Sequence, residues 1–244
     1  MSASARLTWL GHSTVLIELD GARVLTDPVL RRQVLLLRRR APVAAGELRV
    51  DAALISHVHW DHLDLRSLEK LGRGVRLVLP RGAGGLVRRN GFEHVVELDP
   101  GEIVPVGSLE VRAIHAEHDI RWPRRADAPA LGFVLRGTRT IYFAGDTDLF
   151  EGMRNLVDDL DVAVLPIGGW GPTVPPGHLD PERAAQALSL LRPRLAVPVH
   201  YGTYTPLGLR QRGRDLGAEF HLRASKLAPE VEVRVLPIGG SLEL

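Results

Sequence analysis

The 244-residue chain contains no cysteine and only two lysines, Lys70 and Lys226. Without thiols neither a disulfide framework nor a thiolate metal site can form, so any bound metal must be held by nitrogen and oxygen donors. A long apolar run is also missing. The segment Met1-Ser2-Ala3-Ser4-Ala5-Arg6 leads straight into a strand-like stretch, which predicts neither a signal peptide nor a membrane span. A soluble, cytoplasmic chain is the expectation. Strong charge of one sign is absent too: a net charge of +2 and a pI near 9.4 come from arginine use, and no nucleic-acid partner is expected from so weak a balance. Two local clusters stand out. Arg31, Arg32, Arg38, Arg39 and Arg40 flank Val34-Leu35-Leu36-Leu37, and Arg121, Arg124 and Arg125 follow a histidine-rich stretch. The plain reading of such clusters is a solvated face or snorkelling side chains.

What is present is apolar material enough for a sizeable core, 45% of the residues. Short β-rich runs fill the first third, at Leu7–Leu10, Thr14–Leu19, Arg23–Thr26 and Ala52–Ser56, with Asp20-Gly21 as a hairpin turn. A helix capped by Asp64 is predicted over Leu65–Leu71, and further helices over Gly82–Arg89, Leu149–Leu160, Pro181–Leu191 and Leu207–Leu222. Further strands are predicted at Arg76–Leu79, Val95–Leu98, Leu109–Ile114, Gly132–Leu135, Thr140–Ala144, Val162–Leu165, Leu195–Val199 and Val231–Leu236. No low-complexity linker interrupts them, which predicts a single domain over residues 1–244. Its halves read alike: strand, turn, strand and Asp recur at Thr14 to Asp27 and at Gly132 to Asp146, and each half later opens a helix with His-Leu-Asp, at His62 and at His178. Two such halves would pack as a four-layer α/β/β/α sandwich of the α/β class.

The chemistry concentrates in His57-Val58-His59-Trp60-Asp61-His62, directly after the strand ending at Ser56. An extended backbone points His57 and His59 to one side, where they can share a metal, while Asp61 and His62 lie at the turn into the helix and can face a second ion. The plain alternative is a polar loop.

This segment resembles the His-x-His-x-Asp-His hallmark of the metallo-β-lactamase superfamily. The resemblance extends over nearly the whole chain. Ala144-Gly145-Asp146-Thr147 is similar to the family segment whose Asp bridges two metals, and Pro198-Val199-His200-Tyr201-Gly202-Thr203 to its last-histidine segment. Val111-Arg112-Ala113-Ile114-His115-Ala116-Glu117-His118 is similar to the family's third-ligand segment and makes His118 the ligand, with His115 as the alternative. Trp9-Leu10-Gly11-His12-Ser13-Thr14 and Leu25-Thr26-Asp27-Pro28 resemble the branch that contains ascorbate-6-phosphate lactonase and N-acylphosphatidylethanolamine phospholipase D, rather than the β-lactamases themselves.

The resemblance implies a first metal on His57, His59 and His118, a second on Asp61, His62 and His200, and Asp146 bridging both. Such donors suit two divalent ions, Zn²⁺ foremost with Mn²⁺ and Fe²⁺ also accommodated, and the pair would turn a shared water into a nucleophilic hydroxide. The implied reaction is hydrolysis of an ester, lactone or phosphodiester in a small molecule, with Asp61 orienting the hydroxide. His12 is an active-site candidate or a hydrogen-bonded core histidine. His178 is a proton donor to a leaving group or a helix-start packing residue. Asp27 is expected to orient a ligand histidine, or else to be a turn residue before Pro28. Arg121, Arg124 and Arg125 are expected to contact an anionic group of the substrate. His94 and His221 read as surface residues, and Trp122 and Trp170 as core aromatics before pocket lining. Self-association is compatible with the resemblance. The competing functions are a metal-binding protein without turnover, a nucleic-acid-processing phosphodiesterase, and di-iron redox chemistry, which the family's flavodiiron branch performs with Glu in the place of His59.

Overall fold

The computed structural model describes residues 5–43, 48–118, 126–171, 173–208 and 214–244. Arg121, Trp122, Arg124 and Arg125 therefore lie outside the described residues. The elements run β1 (Arg6–Gly11), β2 (Thr14–Leu19), β3 (Ala22–Thr26), β4 (Gln33–Val34), β5 (Leu37–Arg39), β6 (Ala52–Leu54), α1 (Leu65–Leu71), β7 (Arg76–Pro80), α2 (Gly84–Arg88) and β8 (Val95–Leu98). They continue with β9 (Ile103–Val106), β10 (Leu109–His115), β11 (Leu131–Arg136), β12 (Thr140–Phe143), a 3₁₀ turn (Glu151–Asn155), β13 (Val162–Pro166), α3 (Pro181–Leu191), β14 (Leu195–Val199), β15 (Tyr204–Pro206), α4 (Leu216–Leu227), β16 (Glu232–Val233) and β17 (Ser241–Glu243).

Two seven-stranded sheets result, ordered β17-β1-β2-β3-β6-β7-β8 and β16-β14-β13-β12-β11-β10-β9. In the first, β1, β2 and β3 pair antiparallel and β3, β6, β7 and β8 parallel. The second follows the same succession, antiparallel through β10, β11 and β12, then parallel through β13, β14 and β16. Alternation of side chains along each strand separates three apolar layers. Leu7, Trp9, Ile17, Val24 and Leu54 of the first sheet meet Val111, Phe133, Phe143, Val164 and Val197 of the second. On the outer faces, Ala53, Ile55, Leu77 and Leu79 pack with Leu68 of α1 and Val87 of α2, while Tyr142, Ala163, Leu165 and Ala196 pack with Leu188 of α3 and Phe220 of α4. The fold is thus an α/β sandwich of four layers. The parallel strands β6 and β13 are buried on both faces, which is why Ala52–Leu54 and Val162–Pro166 read as continuous apolar runs without alternation.

Helix starts follow local chemistry. Asp64, Asp180 and Asp215 each place a carboxylate oxygen on a backbone N–H of the first turn, from Ser67, Arg183 and Ala218. Two expected helices differ. Over Leu149–Leu160 only the 3₁₀ turn forms, because Asp148 spends its carboxylate on the backbone N–H of Leu149 and Gly177 and on Arg183, and nothing caps Phe150. The helix expected at Leu207–Leu222 starts at Leu216 instead, behind the Asp215 cap, and runs to Leu227; Leu207 and Gly208 form a turn after β15. The strand expected at Val231–Leu236 shortens to β16. The hairpin β4–β5 and its partner β15 form a small third sheet that sequence periodicity does not announce.

The parallel strands all deliver their C-terminal ends to one edge of the sandwich. There Asp27 follows β3, the His57–His62 loop follows β6, Asp146 follows β12 and His200 follows β14, so both sheets supply one crevice.

Candidate metal centre

Asp27 is fully buried and organises the loop after β6. Its Oδ1 accepts the Ser56 backbone N–H at 2.7 Å, and its Oδ2 accepts the Ser56 hydroxyl at 2.6 Å and His62 Nδ1–H at 2.7 Å. Ser56 Oγ lies 2.9 Å from His57 Nδ1. Since the one hydroxyl proton of Ser56 goes to Asp27, this second contact has His57 Nδ1–H donating to Ser56 Oγ. A turn closed by donation from His62 N and Leu63 N to His59 O then swings His62 back beside His57.

The same logic fixes two more rings. His118 Nδ1–H donates to Gly177 O at 2.7 Å and His200 Nδ1–H to Gly168 O at 2.8 Å, because a carbonyl only accepts. In their neutral forms His57, His62, His118 and His200 therefore all direct an unprotonated Nε2 inward. These nitrogens crowd: His62 Nε2 is 3.2 Å from His200 Nε2, His57 Nε2 is 2.9 Å from His59 Nδ1, and His118 Nε2 is 3.2 Å from the same His59 nitrogen. One proton can bridge such a contact, with His59 Nδ1–H reaching one of its two neighbours and His62 Nε2–H reaching His200; where none does, the facing lone pairs repel unless a cation lies between them. Asp146 adds a buried carboxylate whose Oδ1 has no hydrogen-bond partner, with Oδ2 3.2 Å from His62 Nε2 and 4.0 Å from His57 Nε2. Gly145 permits its approach: at φ 63° a Cβ there would stand 2.6 Å from Ser56 Cβ.

Among the described residues, four groups of donors close enough to hold an ion share these side chains: His57, His59 and His118; His12, Asp61, His62 and His200; His57, His62 and Asp146; and His118, Asp146 and His178. Every metal-ligating candidate from the sequence is thus in one place, and so are His12 and His178. His12 Nε2 lies 3.0 Å from Asp61 Oδ2, and its ring packs 4.1 Å from that of His200. His178 Nε2 lies 3.3 Å from Asp146 Oδ2. His115 is exposed and faces Glu117, apart from the cluster, so the structure brings in His118 rather than its alternative. His94, His221 and Trp170 are exposed as well, so Trp170 is no core aromatic. Ser56, whose hydroxyl joins Asp27 to His57, carries no motif signal and is not found by reading the sequence. His12, Asp27 and His200 hold left-handed backbone at φ 56°, 33° and 63°, a local cost of about 1–3 kcal/mol each that the surrounding packing must offset.

Burial lowers His57 well below its ordinary value, His59 to about 4 and His200 to about 3; it also lowers His118. These rings stay neutral donors at physiological pH. Burial opposes ionisation of Asp61 and Asp146, but the neighbouring histidines outweigh it and hold both carboxylates well below the usual range, and Asp146, Asp27 and Asp61 in turn raise His62 well above its ordinary value against its own burial. At His178 burial is overcome by the Asp146 hydrogen bond, which raises it.

The fold and this crevice define the class: an α/β sandwich with a His/Asp metal centre at one edge. The sequence pattern described as a beta-lactamase superfamily domain matches residues 22–201. A UPF0173 metal-dependent hydrolase of Methanopyrus kandleri is 32% identical over 98% of this chain and 99% of its own. Among solved structures, Igni18, a metallo hydrolase from Ignicoccus hospitalis, is 25% identical with a TM-score of 0.76, covering 99% of this chain and 98% of its own. CmlA, a diiron β-hydroxylase from Streptomyces venezuelae, shares the fold at 22% identity and a TM-score of 0.75, with this chain covering 55% of it. The chain belongs to the metallo-β-lactamase superfamily.

One consequence is measurable on metal-free protein. His200 takes a proton at 6.5 when unfolded but only near 3 when folded, so as pH falls from 6.5 toward 4 the unfolded state binds more protons and stability drops, by up to about 1.4 kcal/mol per pH unit from this residue. Urea melts of chelator-treated chain should show that loss, and His200→Gln should make it shallower. An equal pH slope in the two proteins would mean that His200 is not held neutral.

Proposed function

We propose that the chain is a binuclear metal-dependent hydrolase acting on an ester, lactone or phosphodiester of an anionic small molecule. The observation that carries this reading is the set of inward imidazole nitrogens whose ring orientations are fixed by Asp27, Ser56, Gly168 and Gly177. His57, His59 and His118 form one three-nitrogen face; Asp61, His62 and His200 form the other, and Asp146 lies between them. Nitrogen donors with carboxylates and no sulfur fit Zn²⁺, with Mn²⁺ or Fe²⁺ as alternatives. Two such ions, when bound, would supply an acidified water and an electrophile for the oxygen of the bond attacked.

The chain's own groups do the rest. Asp61, held by the Nε2–H of His12, is placed to orient the attacking water. His178, whose hold on a proton Asp146 strengthens, stands at the partly open side of the centre and would give its proton to the leaving oxygen. Arg121, Arg124 and Arg125 follow His118 by a few residues, and we assign them the substrate's anionic group; a guanidinium fork binds carboxylate or phosphate bidentately.

Hydrolysis of bis-p-nitrophenyl phosphate and of a lactone series tests the reading. Turnover should vanish on chelation and return with added Zn²⁺, and Asp146→Ala should lower it by about a hundredfold or more, since that change removes a group shared by both faces. Activity that survives chelation, or an Asp146→Ala protein of wild-type rate, would overturn it. Metal uptake with no turnover on any substrate would assign the chain to metal binding alone.

A further inference from the structure

The arginine-flanked leucines noted in the sequence form the hairpin β4–β5, which the metal centre does not use. Its five arginines divide by role. Arg39 is buried: its guanidinium donates to Leu10 O, Val29 O and Ala41 O, and Gly11 lies against it, so it locks the hairpin to the loop that carries His12. Arg31 forms a paired contact with Asp64, at 2.8 Å to each carboxylate oxygen. Arg32, Arg38 and Arg40 remain exposed and, with Lys70, line a cavity of about 980 Å³ together with Leu30, Val43 and Leu207. Among the described residues no carboxylate lines that cavity.

The tip of the hairpin is apolar. Leu35 is 58% exposed and Leu36 72%, and Leu207, whose N–H donates to Leu36 O, is 45% exposed beside them. Leu35 holds φ 48°, so the turn pushes these leucines outward at a local cost rather than folding them back. The cations sit behind the leucines: Arg38 pairs with Gln33, and the Arg39 N–H donates to Arg32 O. From Leu36 to Arg38 is two strand residues, about 7 Å. That is the depth order of a lipid interface, with apolar groups entering about 5–10 Å and cations left among the phosphates.

We infer that this hairpin docks the protein on an anionic phospholipid surface, with Leu35, Leu36 and Leu207 entering the interface and Arg32, Arg38 and Lys70 receiving lipid phosphates. A second copy of the chain is a poor occupant, because a two-fold contact through this tip would set arginine against arginine.

Flotation of the full-length protein with vesicles tests the inference. The protein should float with phosphatidylcholine vesicles that contain about a third phosphatidylglycerol, and not with pure phosphatidylcholine. Binding should fall about tenfold or more between about 50 mM and 500 mM salt. Leu35→Ser with Leu36→Ser, and separately Arg32→Gln with Arg38→Gln, should each weaken binding about tenfold while thermal melting stays within a degree or two. The exposed positions make these variants safe for folding, and Leu222→Ser, at an exposed position of α4, is the control that should bind as wild type. No binding to the anionic vesicles, equal binding to neutral ones, or unaltered binding by both double variants would overturn the inference. So would concentration-dependent self-association in sedimentation that the leucine variant abolishes, which would assign the tip to a second copy.

Discussion

The carboxylate of Asp27 is the contact on which the rest of the centre depends. It stands at the C-terminal end of β3, in a left-handed conformation, and accepts three hydrogen bonds, two from Ser56 and one from His62. Those bonds tie the end of β3 to the end of β6 and set two rings at once, His62 directly and His57 through the Ser56 hydroxyl. A fully buried carboxylate is costly unless its lone pairs are satisfied, and here the satisfaction is also what fixes the tautomers. The centre is therefore pre-organised by bonds that lie behind it.

The second sheet completes the arrangement by topology. Asp146 follows β12 as Asp27 follows β3, yet it faces inward, since Gly145 turns the backbone and brings the carboxylate against His62 and His200. His200 arrives from β14, braced by its N–H donating to His12 O and its Nδ1–H to Gly168 O. Donors far apart in sequence meet because parallel strands from both sheets end at one edge. The fold alone does not choose the reaction: a diiron β-hydroxylase shares it. In the ligand set proposed above, His59 would contribute a nitrogen where the family's flavodiiron branch has a carboxylate.

Much of this was legible from residue order. The His57–His62 spacing, Asp27 before Pro28, and the segments around His118, Asp146 and His200 are dense local patterns, and the caps Asp64 and Asp180 mark helix starts by their position. The rest was not legible because it depends on contacts distant in sequence. The serine at 56 is an ordinary polar residue until Asp27 is placed beside it. The 3₁₀ turn at Glu151–Asn155 reads as a helix until Asp148 is drawn to Gly177 and Arg183. The hairpin β4–β5 has strands too short for a period of two to register, and Arg39 looks like its exposed neighbours until Leu10 and Val29 accept its protons. Choosing His118 over His115 likewise needs the end of β10, where His115 is the last strand residue and turns outward.

The central claim is that two cations share one carboxylate between two histidine faces. Anomalous diffraction at the zinc edge, from crystals grown with Zn²⁺, tests it most directly. The account predicts two peaks about 3.5–4 Å apart, one against His57, His59 and His118, the other against Asp61, His62 and His200, with Asp146 reaching both. A single peak, or two that do not share Asp146, would contradict it.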